Sequence, residues 1–275
     1  MGVLNLTPDS FSDGGQLGTV EAVLRQARRL LAQGAAVLDL GAQSTRPGAA
    51  EVGPAEELRR LLPALRALQA LRREHPALLL SIDTFNASVA EAALAEGADW
   101  INDVRGANRT AEAPGGTLRD PAMLPLIARA GCPYVLMHSR GTSQSMDSLA
   151  VYGDVMADVR AELHAASSSA LSAGVRPEQI IWDVGLGFAK TTEQNLELLR
   201  RLPELRSPYP LLVGPSRKRF IGAVLDEPRP RARLWGTAAV CALATAAGAR
   251  VLRVHDVGPI AQTVRMVAAV RIGTD

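Results

Sequence analysis

Aromatic residues, cysteines and long apolar runs are all scarce in this chain of 275 residues. Only 4% of the residues are aromatic, whereas 47% are hydrophobic. Any core must therefore be built mainly from aliphatic and alanine side chains, as in parallel sheets covered by helices. No apolar stretch approaches the roughly 18 residues of a membrane-spanning helix, and no signal peptide precedes the first apolar run. We therefore expect a globular α/β protein with no membrane partner.

Neither sign of charge dominates the chain. The 30 Lys and Arg residues exceed the 28 Asp and Glu residues by two, which argues against a basic face for nucleic acid. The two cysteines, Cys132 and Cys241, have neither the paired spacing of a disulfide framework nor that of a zinc site. We expect both to be buried thiols in a reducing compartment, which favours a cytoplasmic protein.

A short run rich in Val, Ile and Leu ends at a chemically versatile polar residue eight times along the chain. The eight ends are Asn5, Asp39, Asp83, Asn102, His138, Asp183, the Ser216-Arg217-Lys218 cluster, and Arg253 with His255. In a closed parallel barrel these ends share one rim, which is where barrel enzymes place their active sites.

Segments with helical character alternate with these runs, and glycines often close them. We predict strands at 1–5, 36–40, 77–82, 100–102, 134–137, 179–184, 211–214 and 250–254, and helices at 20–33, 54–74, 87–96, 121–130, 154–173, 192–202, 231–248 and 259–270. Residues 105–119 are predicted to be a polar loop. The alternation suits both a barrel and an open doubly wound sheet, and the count of eight favours a (β/α)8 TIM barrel. No linker divides residues 1–275, so we expect one domain.

Three strand ends suit a flat heterocycle. Asp83, Asn102 and Asp183 could each cap the following helix. If they converge, their carboxylate and amide groups suit a ring that carries several N–H donors and a carbonyl.

Other strand ends suit an anion. The polar segment 4–15 and the loop 39–48, which contains Arg46, could be simple turns or could bind phosphate. The three cations at 217–219 could be solvated, or could form a positive rim beside a helix N-terminus. Arg253 and His255 lie on the same side of the last strand. No side-chain metal motif is present, so any metal is predicted to be magnesium brought with substrate phosphates.

Taken together, these segments resemble the dihydropteroate synthase family. The strings that carry the resemblance are LNLTPDSFSDGG, STRPGA, SIDT, INDV, VLMHSRG, GLGF, GPSRKRFIG and VLRVHDV. They occur in the family's order from Met1 to about Val270. The resemblance implies a (β/α)8 barrel that condenses 6-hydroxymethyl-7,8-dihydropterin diphosphate with 4-aminobenzoate. It also implies Mg²⁺ as a cofactor and a homodimer formed through barrel helices.

The resemblance also implies roles for individual residues. The pterin ring would be held by Asp83, Asn102, Asp183 and Lys218. The diphosphate would be held by Asn5, Arg46, Arg253 and His255, with Asn5 near the metal. The 4-aminobenzoate site would be bounded by Phe11, Thr45, Pro47, Phe188, Ser216 and Arg217. Catalysis would fall to Lys218, Arg253, His255 and Asp83.

The chain departs from the family pattern in three places. Val184 stands where the family usually has Pro, and Ala42 where it usually has a second Gly, which is harmless unless φ is positive there. The β-hairpin that usually precedes the first strand is missing, which we expect to lower stability. These departures keep a catalytically silent pterin-binding paralogue open as an alternative. A methyltetrahydrofolate methyltransferase barrel is also possible, although it has no use for the cations of strands seven and eight.

Overall fold

The eight predicted strands form one closed parallel barrel. The structure, a computed structural model, describes residues 1–6, 20–45, 48–111 and 116–272. Within these residues the strands pair in the order β1 to β8, and every pair is parallel. The sheet closes where Val3 N donates to Val254 O (2.9 Å) and Val254 N donates to Met1 O (3.0 Å). The predicted (β/α)8 barrel is confirmed.

Helices separate the strands along the chain. The strands are β1 Gly2–Asn5, β2 Val37–Gly41, β3 Leu79–Asp83, β4 Trp100–Arg109, β5 Tyr134–Arg140, β6 Ile180–Asp183, β7 Leu211–Val213 and β8 Val251–Leu252. The helices are α1 Val20–Ala32, α2 Pro54–Glu74, α3 Ala87–Ala95, α4 Met123–Ala130, α5 Val155–Ser172, α6 Thr192–Arg200, α7 Arg219–Leu225, α8 Leu234–Ala246 and α9 Val257–Ile272. None of the described helices is long and apolar enough to cross a membrane.

Two strands run further than predicted. We expected the fourth strand to end at Asn102 and the fifth at Met137, but β4 and β5 continue to Arg109 and Arg140. After a bulge, residues 107–109 of β4 pair with residues 138–140 of β5. Gly106 allows this close approach, because a Cβ there would lie 3.1 Å from Leu136 Cα. Residues 105–119 were predicted to be a loop because they are polar, but residues 105–109 extend β4.

The barrel interior has an apolar layer below a charged one. Val135, Ile181 and Leu212 pack together inside the barrel, with Trp100 and Val251 against them. Successive strand residues point to opposite faces, so the next inward side chain lies two residues further along each strand. At that level the inward side chains are carboxylates, an amide and an arginine. The larger aliphatic core lies outside the sheet, between strands and helices. The apolar layer therefore closes the barrel below the charged groups and excludes water from that side.

Candidate active site

Four strand ends lie side by side in register. Asn5 pairs with Gly41, Gly41 with Asp83, and Asp83 with Asn102. Gly41 leaves space between its neighbours, since a Cβ there would be 3.5 Å from Asp83 Oδ2 and 3.8 Å from Asn5 Oδ1. Three of the predicted site residues, Asn5, Asp83 and Asn102, are thus brought to one level of the barrel.

A strand-end cluster of Asp39, Asp83, Asn102 and Arg253 forms the centre of the site. Arg253 donates from Nε to Asp39 Oδ2 and from Nη2 to Asp83 Oδ2, both at 2.6 Å. Asn102 Nδ2 donates to the same Asp39 oxygen (3.2 Å), and Ser81 Oγ donates to Asp39 Oδ1 (2.5 Å). Burial raises the pKa of Asp83, and the Arg253 guanidinium opposes that rise. The same carboxylates hold the pKa of Arg253 above its usual value despite its burial.

Asp183 and Lys218 face the cluster from strands six and seven. Asp183 Oδ1 accepts a hydrogen bond from Gly185 N (2.8 Å), and burial raises its pKa. The Lys218 Nζ lies 4.1 Å from the centre of the Phe188 ring. Burial lowers the pKa of Lys218 to about 8, although Asp183 favours its charged form. The structure therefore brings all four predicted pterin residues together.

The loop after β7 and the end of β8 hold each other in place. His255 N donates to Ser216 Oγ (3.1 Å), and His255 Nδ1 lies 3.0 Å from the same oxygen. The Arg217 guanidinium forms a two-point ion pair with Asp256, at 3.0 and 2.8 Å. Arg217 adopts the left-handed conformation, with φ +62°. The two cations of this loop thus have different partners: Arg217 pairs with Asp256, whereas Lys218 lies near Asp183 and Asp83.

The residues predicted to bound the 4-aminobenzoate site are only partly described. Phe11, Arg46 and Pro47 lie outside the described residues. Thr45 and Phe188 both line a small cavity of about 30 Å³, together with groups from the loop after β3, from within β4, and from the end of β5 and the loop after it. Gln43 Oε1 accepts from Val52 N (2.9 Å), which fixes the base of the loop after β2. The roles predicted for Phe11, Arg46 and Pro47 remain predictions.

Sequence reasoning assigned no role to two important groups and misplaced a third. Asp39, noted only as a strand end, is fully buried and orients both Asn102 and Arg253. His138 was expected at the rim, but it points away from the barrel interior to Glu162 of α5. Lys190, which the sequence did not single out, is buried and lies 2.9 Å from His138 Nδ1. Strand alternation was the available signal, because it turns His138 opposite to the inward Met137.

The two positions at which the chain departs from the family pattern, Ala42 and Val184, show no backbone strain. Ala42 and Val184 are almost completely buried, and neither has a positive φ. An alanine therefore replaces glycine at position 42 without backbone strain.

The fold and the site define a barrel enzyme whose strand ends suit a polar heterocycle next to an anion. A family model described as pterin binding enzyme matches residues 1–255. The chain is 47% identical to a dihydropteroate synthase of Synechocystis, over 98% of this chain and 89% of that protein. The chain belongs to the dihydropteroate synthase family of pterin-binding enzymes.

Solved structures agree with this assignment. A Xanthomonas albilineans dihydropteroate synthase solved with 4-aminobenzoic acid is 41% identical and has a TM-score of 0.87, with 98% of this chain and 92% of that chain covered. A structure of the same organism's enzyme in complex with 7,8-dihydropteroate is 39% identical with a TM-score of 0.84, at the same two coverages. These likenesses extend over nearly the whole barrel.

Proposed function

We propose that this chain is a dihydropteroate synthase that joins 6-hydroxymethyl-7,8-dihydropterin diphosphate to 4-aminobenzoate, giving 7,8-dihydropteroate and pyrophosphate. The observation that carries the proposal is the convergence of Asp83, Asn102, Asp183 and Lys218 at the strand ends of the barrel in a chain of this family. Relatives solved with 4-aminobenzoic acid and with 7,8-dihydropteroate support the choice of substrates. The reaction forms a C–N bond at the pterin methylene and breaks its C–O bond to the diphosphate.

The pterin ring matches the polarity of the pocket. Its exocyclic amine and ring N–H groups are donors that suit the acceptors Asp83 and Asp183, and its carbonyl suits the ammonium of Lys218. The cluster also fits the charge that develops during the reaction. As the C–O bond breaks, the methylene becomes electron-poor, and fixed carboxylates favour that positive charge. The apolar floor below keeps water out of this region.

The leaving diphosphate needs cationic partners at the rim. Arg253 uses Nε and Nη2 for the two aspartates, and its Nη1 makes no hydrogen bond to the described residues. We infer that Nη1 is the nitrogen that donates to a diphosphate oxygen. His255, fixed by Ser216, supplies a ring on the same side of the barrel. We infer that these two groups, together with Asn5 and Arg46, hold the departing anion.

Magnesium fits this rim only as a partner of the substrate. The described residues contain no group of three or more His, Cys, Asp or Glu side chains that could hold a metal. Asn5 offers one hard amide oxygen, and Mg²⁺ commonly takes one or two protein ligands together with substrate phosphates and water. When bound, Mg²⁺ would neutralise charge on the diphosphate.

The arylamine would approach from the side of Phe188. Its ring would stack among Phe11, Pro47 and Phe188, and Thr45 lies beside the same cavity. Its carboxylate suits the start of the segment after β7, where Ser216 and Arg217 lie. Since Arg217 is paired with Asp256, we propose that it acts there mainly by its backbone and by local positive charge.

We further propose a homodimer formed through the last helices. Trp235 and Leu243 of α8 are 77% and 62% exposed, and Met266 of the adjacent α9 is 66% exposed. Apolar side chains grouped on neighbouring helices are typical of subunit interfaces. Leu243→Glu should shift the sedimentation of a dimer to that of a monomer. Val151→Glu is the matched control, because Val151 is 74% exposed but lies in the loop before α5.

We propose that residues 1–275 act as one domain and that the protein works in the cytoplasm. The family match extends to residue 255, and α9, which runs beyond it, packs beside α8. Both cysteines are free and buried, which is compatible with a reducing compartment.

The test is pyrophosphate release by purified protein given the dihydropterin diphosphate, Mg²⁺ and 4-aminobenzoate. Release should depend on 4-aminobenzoate and should collapse in Asp83→Ala and Lys218→Ala. A folded protein that binds the pterin without releasing pyrophosphate would instead be a silent pterin-binding paralogue.

A further inference from the structure

Lys190 is a buried cation that the proposed chemistry does not use. Its side chain is 6% exposed. Its Nζ lies 2.9 Å from His138 Nδ1 and 3.0 Å from each of two carbonyl oxygens, those of Gly185 and Phe188. An ammonium group has three N–H donors, so the protein itself satisfies all of them. Lys190 therefore has no donor left for a ligand.

His138 anchors Lys190 to the outer face of the barrel. Because Nδ1 accepts from the ammonium, the ring proton lies on Nε2, which donates to Glu162 Oε2 of α5 (2.9 Å). Arg140 Nη2 donates to the other Glu162 oxygen (2.5 Å). Burial lowers the pKa of His138 to about 4, which keeps the ring neutral and able to accept. The groups Lys190, His138, Glu162 and Arg140, here called the Lys190 cluster, join the loop after β6 to β5 and α5.

A second contact ties the same loop from the side of Arg140. The Arg140 guanidinium lies 3.8 Å from the centre of the Tyr152 ring. The Tyr152 hydroxyl donates to Ala189 O (2.9 Å). The carbonyls of Gly185, Phe188 and Ala189 are thus all bound by side chains of this region.

The loop 184–190 needs such support because its backbone is unusual. Gly185, Gly187 and Ala189 have φ values of +63°, +74° and +47°, and the left-handed conformation is unfavourable for alanine. Gly185 also passes very close to β5, since a Cβ there would lie 1.8 Å from His138 O. A loop with these torsions keeps one shape only if its surroundings hold it.

The shape of this loop sets the position of groups in the pterin pocket. Gly185 N donates to Asp183 Oδ1. Gly187 lies against the Lys218 side chain, where a Cβ would be 3.0 Å from Lys218 Cδ. The Phe188 ring covers the Lys218 ammonium. A shift of the loop would therefore displace one carboxylate, one ammonium and one aromatic wall of the pocket together.

We propose that Lys190 is a positioning residue of the pterin site, which fixes the loop 184–190 through two carbonyls so that Phe188 packs on Lys218. The inference rests on the proposed function, because the pocket that Lys190 shapes is the one assigned to the pterin. Lys190 touches no substrate and acts through Phe188 and Gly185. Burial lowers the pKa of Lys190 to about 7, and the three hydrogen bonds offset the cost of burying its charged form.

The test is a double-mutant cycle on pterin affinity, with 6-hydroxymethylpterin as the probe. Lys190→Gln should raise its dissociation constant about 10- to 100-fold, because small displacements in a site have effects of this size. Phe188→Ala should also weaken pterin binding. The double variant should bind the pterin as tightly as the single variant with the lower affinity, since both changes remove the same packing. If the two effects multiply, Lys190 does not act through Phe188 and the proposal is wrong.

Gln179→Leu is the matched control. Gln179 precedes β6 at the opposite end of the barrel, is 2% exposed, and donates to the carbonyls of Ile127 and Cys132 at 3.0 and 2.9 Å. It should lower the melting temperature but leave pterin affinity and kcat/KM unchanged below the melting range. If Gln179→Leu weakens binding as much as Lys190→Gln, the effect is general destabilisation and the proposal fails.

A second variant covers the case in which Lys190→Gln does not fold. His138→Gln removes the imidazole that accepts from Lys190 but leaves the hydrogen bonds from Lys190 to the two carbonyls. It should therefore raise the dissociation constant for the pterin by a smaller factor than Lys190→Gln does. An unchanged dissociation constant would contradict the proposal. The two inferences also fail differently. A wild-type protein that binds no pterin overturns both, whereas pterin binding and turnover with independent effects of Lys190 and Phe188 overturn only this one.

Discussion

Lys190 and Lys218 are two lysines on neighbouring loops, the first buried and the second half-buried, and they have opposite surroundings. All three donors of Lys190 are bound by the protein. The Lys218 ammonium makes no hydrogen bond to the described residues. It lies against the Phe188 ring, and the charges of Asp183 and Arg253 act on it from nearby. Burial and charge by themselves therefore do not mark a ligand-binding group. The donors that remain available toward the pocket do.

The largest expected effect is on turnover when Lys218 is changed. Lys218→Met should lower kcat/KM for the dihydropterin diphosphate by about 100- to 1000-fold, since one lost donor in a preorganised polar site has effects of this size. Its melting temperature should not fall, because an apolar side chain removes the cost of burying a charge. A loss below tenfold, measured by pyrophosphate release, would mean that Lys218 does not hold the pterin.

The next effect concerns the loop 184–190, which ends at Lys190 and contacts Lys218 through Gly187 and Phe188. Gly185→Ala should destabilise the fold by at least about 2 kcal/mol, because its Cβ collides with His138 O and its φ is positive. Gly48→Ala is the matched control, with φ +79° and nothing within 4 Å of the added Cβ. It should cost only about 1 kcal/mol. Equal losses in urea unfolding would show that the close approach to β5 is unimportant.

Lys190 itself should matter for stability where Lys218 does not. Lys190→Met leaves two carbonyls and one ring nitrogen without their donor, which should lower the free energy of unfolding by about 1–3 kcal/mol. Denaturant unfolding of Lys190→Met and Lys218→Met side by side measures the contrast. The contrast breaks down if both variants are equally stable.

The smallest effect concerns pH and His138. Its pKa is about 4 in the fold and 6.5 as the reference value for a free histidine. Between these values the unfolded chain binds a proton that the fold does not, so this contribution to stability is present above pH 6.5 and is lost as the pH falls to 4. The stability advantage of wild type over His138→Gln should therefore shrink between pH 6.5 and 4. An advantage that grows on acidification would contradict a neutral, buried His138.

The regular part of the fold could be predicted from the sequence. The span of α2 was predicted as 54–74 and is observed as Pro54–Glu74, because its apolar spacing and starting proline are local signals. The alignment of Asp83 with Asn102 followed from parallel pairing, since both close their apolar runs. The predicted end of β4 was wrong, because Gly106 and a bulge bring a polar segment back to β5. That pairing is a tertiary contact and leaves no local signal in the sequence.

The inner connections of the site could not be read from local patterns. Arg253 was predicted to face the diphosphate, yet two of its nitrogens bind Asp39 and Asp83, which are 214 and 170 residues away in the chain. Lys190 meets His138 across 52 residues. Such pairs depend on which side chains of distant strands reach the same space, and one sequence does not specify this.

The most direct test of the central claim is a crystal structure of the protein with 7,8-dihydropteroate. We expect the pterin ring between Asp83, Asn102, Asp183 and Lys218, with Phe188 beside it and Lys190 still bound to the Gly185 and Phe188 carbonyls. A pterin bound away from Lys218, or one that contacts Lys190 directly, would contradict it.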